Sequence, residues 1–166
     1  RLGELCALRW QDIDTEEGVL HIRYTLQRIQ NLPEQVAKLG KTRLLLDTPK
    51  NHKERTIPIH PQLRSWLEEK KKLHSDADFV LSGNLKPVEP RTMTSWFKKF
   101  CKTHGLRDFK FHTLRHTFAT RCIESGMDIK VLSELLGHSS VKITLDRYVH
   151  PSMEYKKFQI SSLCMS

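Results

Sequence analysis

No stretch of this sequence approaches the roughly eighteen consecutive apolar residues that a membrane-crossing helix needs. Nor does a basic start lead into an apolar segment and a small-residue cleavage site, so no secretory leader is read and a cytoplasmic protein without membrane contact is expected. Cysteine is sparse: Cys6, Cys101, Cys122 and Cys164 stand far apart with no C-x-x-C pair, which argues against a zinc ribbon or a dense disulfide framework and for reduced thiols. Glycines nowhere gather into a phosphate-cradling loop, and no carboxylate cluster awaits Mg²⁺. Nothing repeats at a fixed period, and no segment is low in complexity. Acid is the charge in short supply. Lys and Arg outnumber Asp and Glu by 28 to 19, and the formal net charge of +9 favours a polyanionic partner such as nucleic acid.

What is present suffices for a globular domain of ordinary size: 166 residues, 38% of them apolar. The chain opens in mid-pattern, since "RLGELCALRW" has Leu2, Leu5, Cys6 and Leu8 at helical spacing from its first residue; the expectation is a piece of a longer protein. Leu20, Ile22, Tyr24 and Leu26 then alternate with His21, Arg23, Thr25 and Gln27, which predicts one half-buried strand. "NLPEQVAKLGKT" reads as a long surface loop with room for a helical turn. "RLLLDTPK" and "RTIPIH", joined by "NHKE", predict a hairpin with Lys50 at its tip.

Pro61 opens a helix with Leu63, Trp66, Leu67 and Lys70 on one side, and "DADFVLSG" reads as a short strand or extended connector. Met93, Trp96, Phe97, Phe100 and Cys101 mark the apolar face of a further helix stopped by Gly105, with Lys98, Lys99 and Lys102 opposite. Three short helices follow. "FHTLRHTFATR" begins the first, Asp128 and Gly137 cap the second, and Ser140 caps the third, which ends near Tyr148. The sum is a mainly helical α+β domain with a small antiparallel sheet.

The first of these helices starts with His112, Arg115 and His116 among Phe111, Leu114, Phe118 and Ala119. Residues three apart share a helix face, so His112 and Arg115 can converge on one oxyanion: the guanidinium offers a planar fork of donors and the imidazole accepts or donates a proton. His112 and His116, four apart, also have the spacing of a zinc pair. Against that, Thr113 stands where a zinc hydrolase carries its Glu, and the permanent charge of Arg115 repels a cation. No metal and no cofactor are therefore expected. Each residue also has an ordinary role open to it: His138 as a helix cap, Lys50 as a hairpin-tip lysine, Tyr148 as a packing residue, His116 as a packing histidine.

Taken jointly, the motifs are more specific. His112-Thr113-Leu114-Arg115-His116, then Leu135-Leu136-Gly137-His138, then Tyr148 ten residues on, resemble the catalytic domain of the tyrosine recombinases, the phage-integrase family. "RLGELCALRW" resembles the segment bearing that family's first catalytic arginine, which falls on Arg1 with its accompanying acid on Glu4. "TPKNHKERTIPI" resembles the hairpin bearing the catalytic lysine, which falls on Lys50, with Lys53 as second candidate. The resemblance runs from Arg1 to about Tyr148.

That resemblance implies a site-specific recombinase that breaks and rejoins DNA through a 3′-phosphotyrosyl intermediate without ATP or metal. Tyr148 would be the nucleophile; a phenol, with an ordinary pKa of about 10, is a weak one and needs positive neighbours. Arg1 and Arg115 would clamp the phosphate, His138 would donate to its oxygens, His112 would orient it or take the tyrosine proton, and Lys50 would protonate the departing 5′-oxygen. Partners implied are double-stranded DNA at a recombination site and further copies of the protein, a tetramer on DNA. Residues 1–148 would form the catalytic domain, and the tail 149–166 would dock on a neighbouring protomer, the alternatives being a tail folded back on its own domain or a disordered one. Integrases of phages and conjugative transposons are the nearest in pattern. Two rivals share the basic surface: a catalytically silent DNA-binding module, and a topoisomerase-like enzyme of type IB chemistry that relaxes DNA without site choice.

Overall fold

The computed structural model describes residues 1–34, 36, 40–49, 54–148, 153, 157 and 160–161. The chain divides into two compact units, residues 1–116 and 117–166.

The first unit opens with α1 (Leu2–Ala7) and a single 3₁₀ turn (Trp10–Asp12). Five strands follow: β1 (Ile13–Asp14), β2 (Val19–Ile22), β3 (Thr25–Gln30), β4 (Thr42–Asp47) and β5 (Arg55–Pro58). Two helices, α2 (Pro61–Lys71) and α3 (Pro90–Thr103), come next, before α4 begins. The strands form two small antiparallel sheets, one ordered β1-β2-β5 and the other β3-β4. The α+β class, mainly helical with small antiparallel sheet, is therefore as expected, but its wiring differs in two places.

The predicted strand through Leu20 and Leu26 breaks at Arg23 and Tyr24, leaving β2 in one sheet and β3 in the other. Arg23, placed by the alternation on a strand's polar face, instead reaches buried Asp12, its Nη1 donating to Oδ1 at 3.2 Å. This ion pair lies at the point where the two sheets part. The predicted hairpin of "RLLLDTPK" with "RTIPIH" is also not the pairing seen. β4 pairs with β3 through six residue pairs, Thr25↔Asp47 to Gln30↔Thr42, while β5 pairs with β2, Leu20 opposite Ile57. The β2–β5 pairing puts apolar side chains from both strands into one core with Leu8, Trp10, Ile13, Ile22, Ile59 and Leu67. A second cluster, Cys6, Ala7 and Leu26, joins α1 to β3 and receives Met93 of α3.

Helical periodicity located α2 and α3 but overstated their buried faces. Of the four α2 residues expected on one side, Leu67 is buried, whereas Leu63 and Trp66 are exposed. On α3, Cys101 is buried, but Trp96 and Phe100 face outward. "DADFVLSG" is a connector held by single bridges, Phe79 pairing with both Arg9 and Asn84.

The second unit takes in the later part of α4 (His112–Glu124), then α5 (Ile129–Leu136) and α6 (Val141–Tyr148). Its core is Ala119, Cys122, Leu132 and Leu136, with Tyr148 partly buried against it. Phe118, expected to pack beside Ala119, is 49% exposed. The caps are as read: Asp128 Oδ1 accepts from the N–H groups of Lys130 and Val131 at 2.8 and 3.0 Å, a contribution of about 1 kcal/mol for such caps. Ser140 Oγ accepts from Lys142 N–H at 3.2 Å. Gly137 adopts φ 64°, ψ 41°, the left-handed conformation that a helix-ending glycine supplies without steric cost.

Candidate active site

In the first unit the candidate site is built around a buried carboxylate. Glu4 lies on the inner side of α1, 3% exposed, and cannot stay ionised there without partners. Arg1 Nη1 donates to its Oε1 at 3.0 Å, and the Arg1 backbone amine donates to Oε2 at 3.1 Å. Arg55, at the start of β5, spans both oxygens, Nη1 to Oε1 at 3.0 Å and Nη2 to Oε2 at 2.5 Å. This two-pronged, charge-assisted geometry is the strongest that a guanidinium and a carboxylate make. Burial pushes the Glu4 carboxyl up, but the hydrogen bonds and charge of Arg55 oppose it, and the carboxyl is lowered to about 2. The guanidinium groups of Arg115 and Arg55 both act electrostatically at the Arg1 position, alongside the Glu4 carboxylate. Arg115 therefore shares the electrostatic neighbourhood of Arg1.

A pH dependence follows from the depressed carboxyl. Glu4 ionises well below the ordinary carboxylate value in the folded chain, so its contribution is complete above that value and is lost as pH falls from about 4.5 towards 2. Urea unfolding measured across that window is expected to give a steeper acid loss for the native protein than for Glu4→Gln, the slopes differing by up to about one proton. Equal slopes would show that the carboxylate does not carry the acid limb.

The start of α4 carries His112, Arg115 and His116. Thr113 N–H donates to Lys110 O at 2.9 Å, and Phe111 packs edge-on to Phe97 of α3 with ring centroids 5.3 Å apart, so the helix start is tied to α3. His112 is exposed, while Arg115 and His116 are half-buried. The rings of His112 and His116 meet edge to face, 4.7 Å between centroids and 85° between planes. Among the described residues no three His, Cys, Asp or Glu side chains gather into a metal-binding group. Lys50 and Lys53 lie outside the described residues.

In the second unit the arrangement is compact. The left-handed Gly137 lets His138 N–H return to Ser133 O at 3.0 Å and its own N–H to Glu134 O at 2.9 Å, the double bond that pins a helix end. His138 is thereby fixed at the mouth of the α5–α6 turn, and its Nδ1 lies 2.8 Å from Thr144 Oγ1. Its ring is parallel to that of Tyr148, 5° between planes with centroids 6.4 Å apart.

The structure thus groups Arg1 with Arg115 in the first unit and His138 with Tyr148 in the second, with His112 one helical turn from Arg115. Sequence reading missed two residues that hold these groups in place. Arg55 stood inside the quoted "KERTIPI", where a basic residue opposite the buried Glu4 was the available signal. Thr144 falls three and four residues from Val141 and Tyr148 on α6, the spacing of one helix face, but a hydroxyl among apolar neighbours does not register in a hydrophobic pattern.

The fold is that of tyrosine recombinase catalytic domains. It superposes on the Tn1549 transposon integrase in complex with a circular intermediate DNA with a TM-score of 0.73 and 26% identity, over 98% of this chain and 54% of that one. The XerA recombinase shares the fold at a TM-score of 0.65 and 24% identity, over 97% and 51% of the two chains. The model of the Phage integrase family matches residues 1–155, and the chain belongs to that family. Its relatives include a XerC-like tyrosine recombinase of Caldanaerobacter subterraneus, 32% identical over 98% of this chain and 45% of the relative. Transposase A of transposon Tn554 from Staphylococcus aureus is also 32% identical, over 92% and 40%. The chain therefore spans less than half the length of these curated relatives. Among the described residues no helix is long and apolar enough to cross a membrane.

Proposed function

We propose that this protein is a site-specific DNA recombinase acting in the cytoplasm, which cuts and rejoins duplex DNA through a covalent bond to Tyr148. The phenol oxygen of Tyr148 attacks the scissile phosphorus, the bond to the 5′-oxygen breaks, and the DNA 3′-phosphate remains esterified to the tyrosine. His112 takes the phenol proton or orients the phosphate, and Lys50 gives a proton to the departing 5′-hydroxyl. Arg1 and Arg115 offset the charge on the non-bridging oxygens, and His138 donates to one of them; this is positioning and electrostatic work. Attack by a 5′-hydroxyl on the phosphotyrosine reverses the step and rejoins DNA, so the bond energy is conserved and no nucleotide hydrolysis is required. In this reading residues 1–148 are the catalytic domain, residues 149–166 dock on a neighbouring protomer, and four copies assemble on paired sites.

The observation that carries the reading is the parallel placement of Tyr148 beside His138 at the α5–α6 turn in a chain of this family. The net charge of +9 and the DNA-bound structures of the Tn1549 integrase and of the XerH recombinase support duplex DNA as the substrate. The test is covalent trapping on nicked duplexes carrying the repeats that flank the gene, since a nick lets the 5′-fragment diffuse away and strands the intermediate. A denaturation-resistant protein–DNA product whose peptide map places the DNA on Tyr148 is the expected result. Absence of such a product overturns the proposal, and plasmid relaxation without regard to sequence replaces it with a topoisomerase-like activity.

A further inference from the structure

Thr144 is fully buried on α6, at 0% exposure, with its hydroxyl 2.8 Å from Nδ1 of His138. A threonine is rarely buried to this degree unless its hydroxyl has a partner, because an unmatched hydroxyl costs about 1–3 kcal/mol in a protein interior. With the Thr144 side chain closed off from water, the imidazole is a partner within the protein for its hydroxyl. The neutral imidazole carries one ring proton, and the nitrogen without it is an acceptor. If Thr144 donates, Nδ1 is the acceptor and the proton resides on Nε2, the nitrogen at the far end of the ring. If Thr144 accepts, the neutral ring has its proton on Nδ1 and Nε2 cannot donate.

From this geometry we infer that Thr144 is a positioning residue that donates to His138 Nδ1 and so keeps the ring proton on Nε2, the form that presents a donor to a phosphate oxygen. The inference rests on the recombinase reading: the contact accommodates either direction of donation, and the donor role proposed for His138 is what requires the proton on Nε2. The backbone bonds that fix His138 at the end of α5 set where the ring begins; the Thr144 bond sets its rotation and its tautomer. The Tyr148 ring lies parallel to the imidazole, its centroid 6.4 Å away.

The experiment has two arms. In the first, ¹⁵N-labelled protein is examined at a pH where His138 is neutral, using long-range ¹H–¹⁵N correlations that distinguish the two ring nitrogens. The native protein and Thr144→Ser are expected to show His138 with the proton on Nε2, while Thr144→Val, of nearly the same shape, shows a mixture or the opposite form. If native His138 carries its proton on Nδ1, or if Thr144→Val leaves the Nε2 form unchanged, the inference fails whatever the protein's activity. In the second arm the same variants are trapped on the nicked duplex described above. Thr144→Val is expected to slow formation of the covalent product by tenfold or more with unchanged duplex affinity, and Thr144→Ser to restore it. Loss of tautomer control with an undiminished rate overturns the positioning role. Failure of the native protein to form any product strikes the recombinase reading and leaves the tautomer result standing.

Discussion

Replacing Tyr148 by Phe is expected to abolish the covalent protein–DNA product while leaving fold and duplex binding intact. The substitution removes one oxygen atom, and that atom is the one required to bond to phosphorus. The ring lies half-buried against Ala119, Cys122, Leu132 and Leu136, and Phe keeps that packing. A change confined to one hydroxyl at such a site perturbs stability by about 1 kcal/mol or less. Loss of product with a retained melting temperature would therefore isolate the chemistry. The measurement is a denaturing gel of the trapped reaction beside a thermal melt and a binding titration of each protein. A Tyr148→Phe variant that still forms a denaturation-resistant product would move the nucleophile elsewhere in the chain, and Tyr155 is the next tyrosine on the C-terminal side.

Replacing Arg55 by Met is expected to destabilise the first unit by about 3 kcal/mol, because removing one partner of a buried ion pair leaves its charge uncompensated. Arg55 is 13% exposed and Glu4 3%, so little solvent screens the loss. Glu4 keeps Arg1, which is itself 35% exposed, so the expected cost lies at the low end of the range for buried pairs. The carboxylate will also titrate higher, since Arg55 is its strongest favourable partner, and acid unfolding will begin at a higher pH than in the native protein. Urea midpoints at neutral and acid pH measure both effects. The double variant Glu4→Gln with Arg55→Met removes the stranded charge and is expected to recover part of the loss, whereas Arg55→Met alone leaving both midpoints unchanged would show that the bidentate bridge contributes nothing. The same change should weaken covalent trapping, because Glu4 holds Arg1 Nη1 at 3.0 Å and loses its own anchor.

These two variants probe features of different origin. The Tyr148 motif was legible in one dimension. "HTLRH", "LLGH" and the tyrosine ten residues later sit on short helices whose limits are set by Asp128, Gly137 and Ser140, and each cap acts within a turn of its own helix. Hydrogen bonds between neighbours in sequence need no knowledge of the rest of the chain, which is why α5, α6 and the place of His138 could be read directly. The chemical types needed for phosphoryl transfer were also visible, because their spacing along helices already puts His112 and Arg115 on one face.

Strand pairing was not legible in the same way. The alternation through Leu20 to Leu26 was real, yet it could not show that the run would part between two sheets at Arg23 and Tyr24, with Arg23 turned to Asp12. Nor could two adjacent β-prone segments reveal that β5 would cross to β2, where Leu20 meets Ile57, while β4 closed on β3. Apolar spacing in α2 and α3 showed which residues share a helix side, but Trp66, Trp96 and Phe100 remain exposed because a face is buried only where another element arrives to cover it.

By itself, then, the sequence determined the helical caps, the family motifs and the set of chemical groups available, since each depends on residues within one or two turns of one another. Only the tertiary structure decided that Arg55 would grip Glu4 from 51 residues away and that buried Thr144 would face His138. Those choices turn on which buried charge or hydroxyl finds a partner once water has been excluded, a competition settled in three dimensions that leaves no period in the chain.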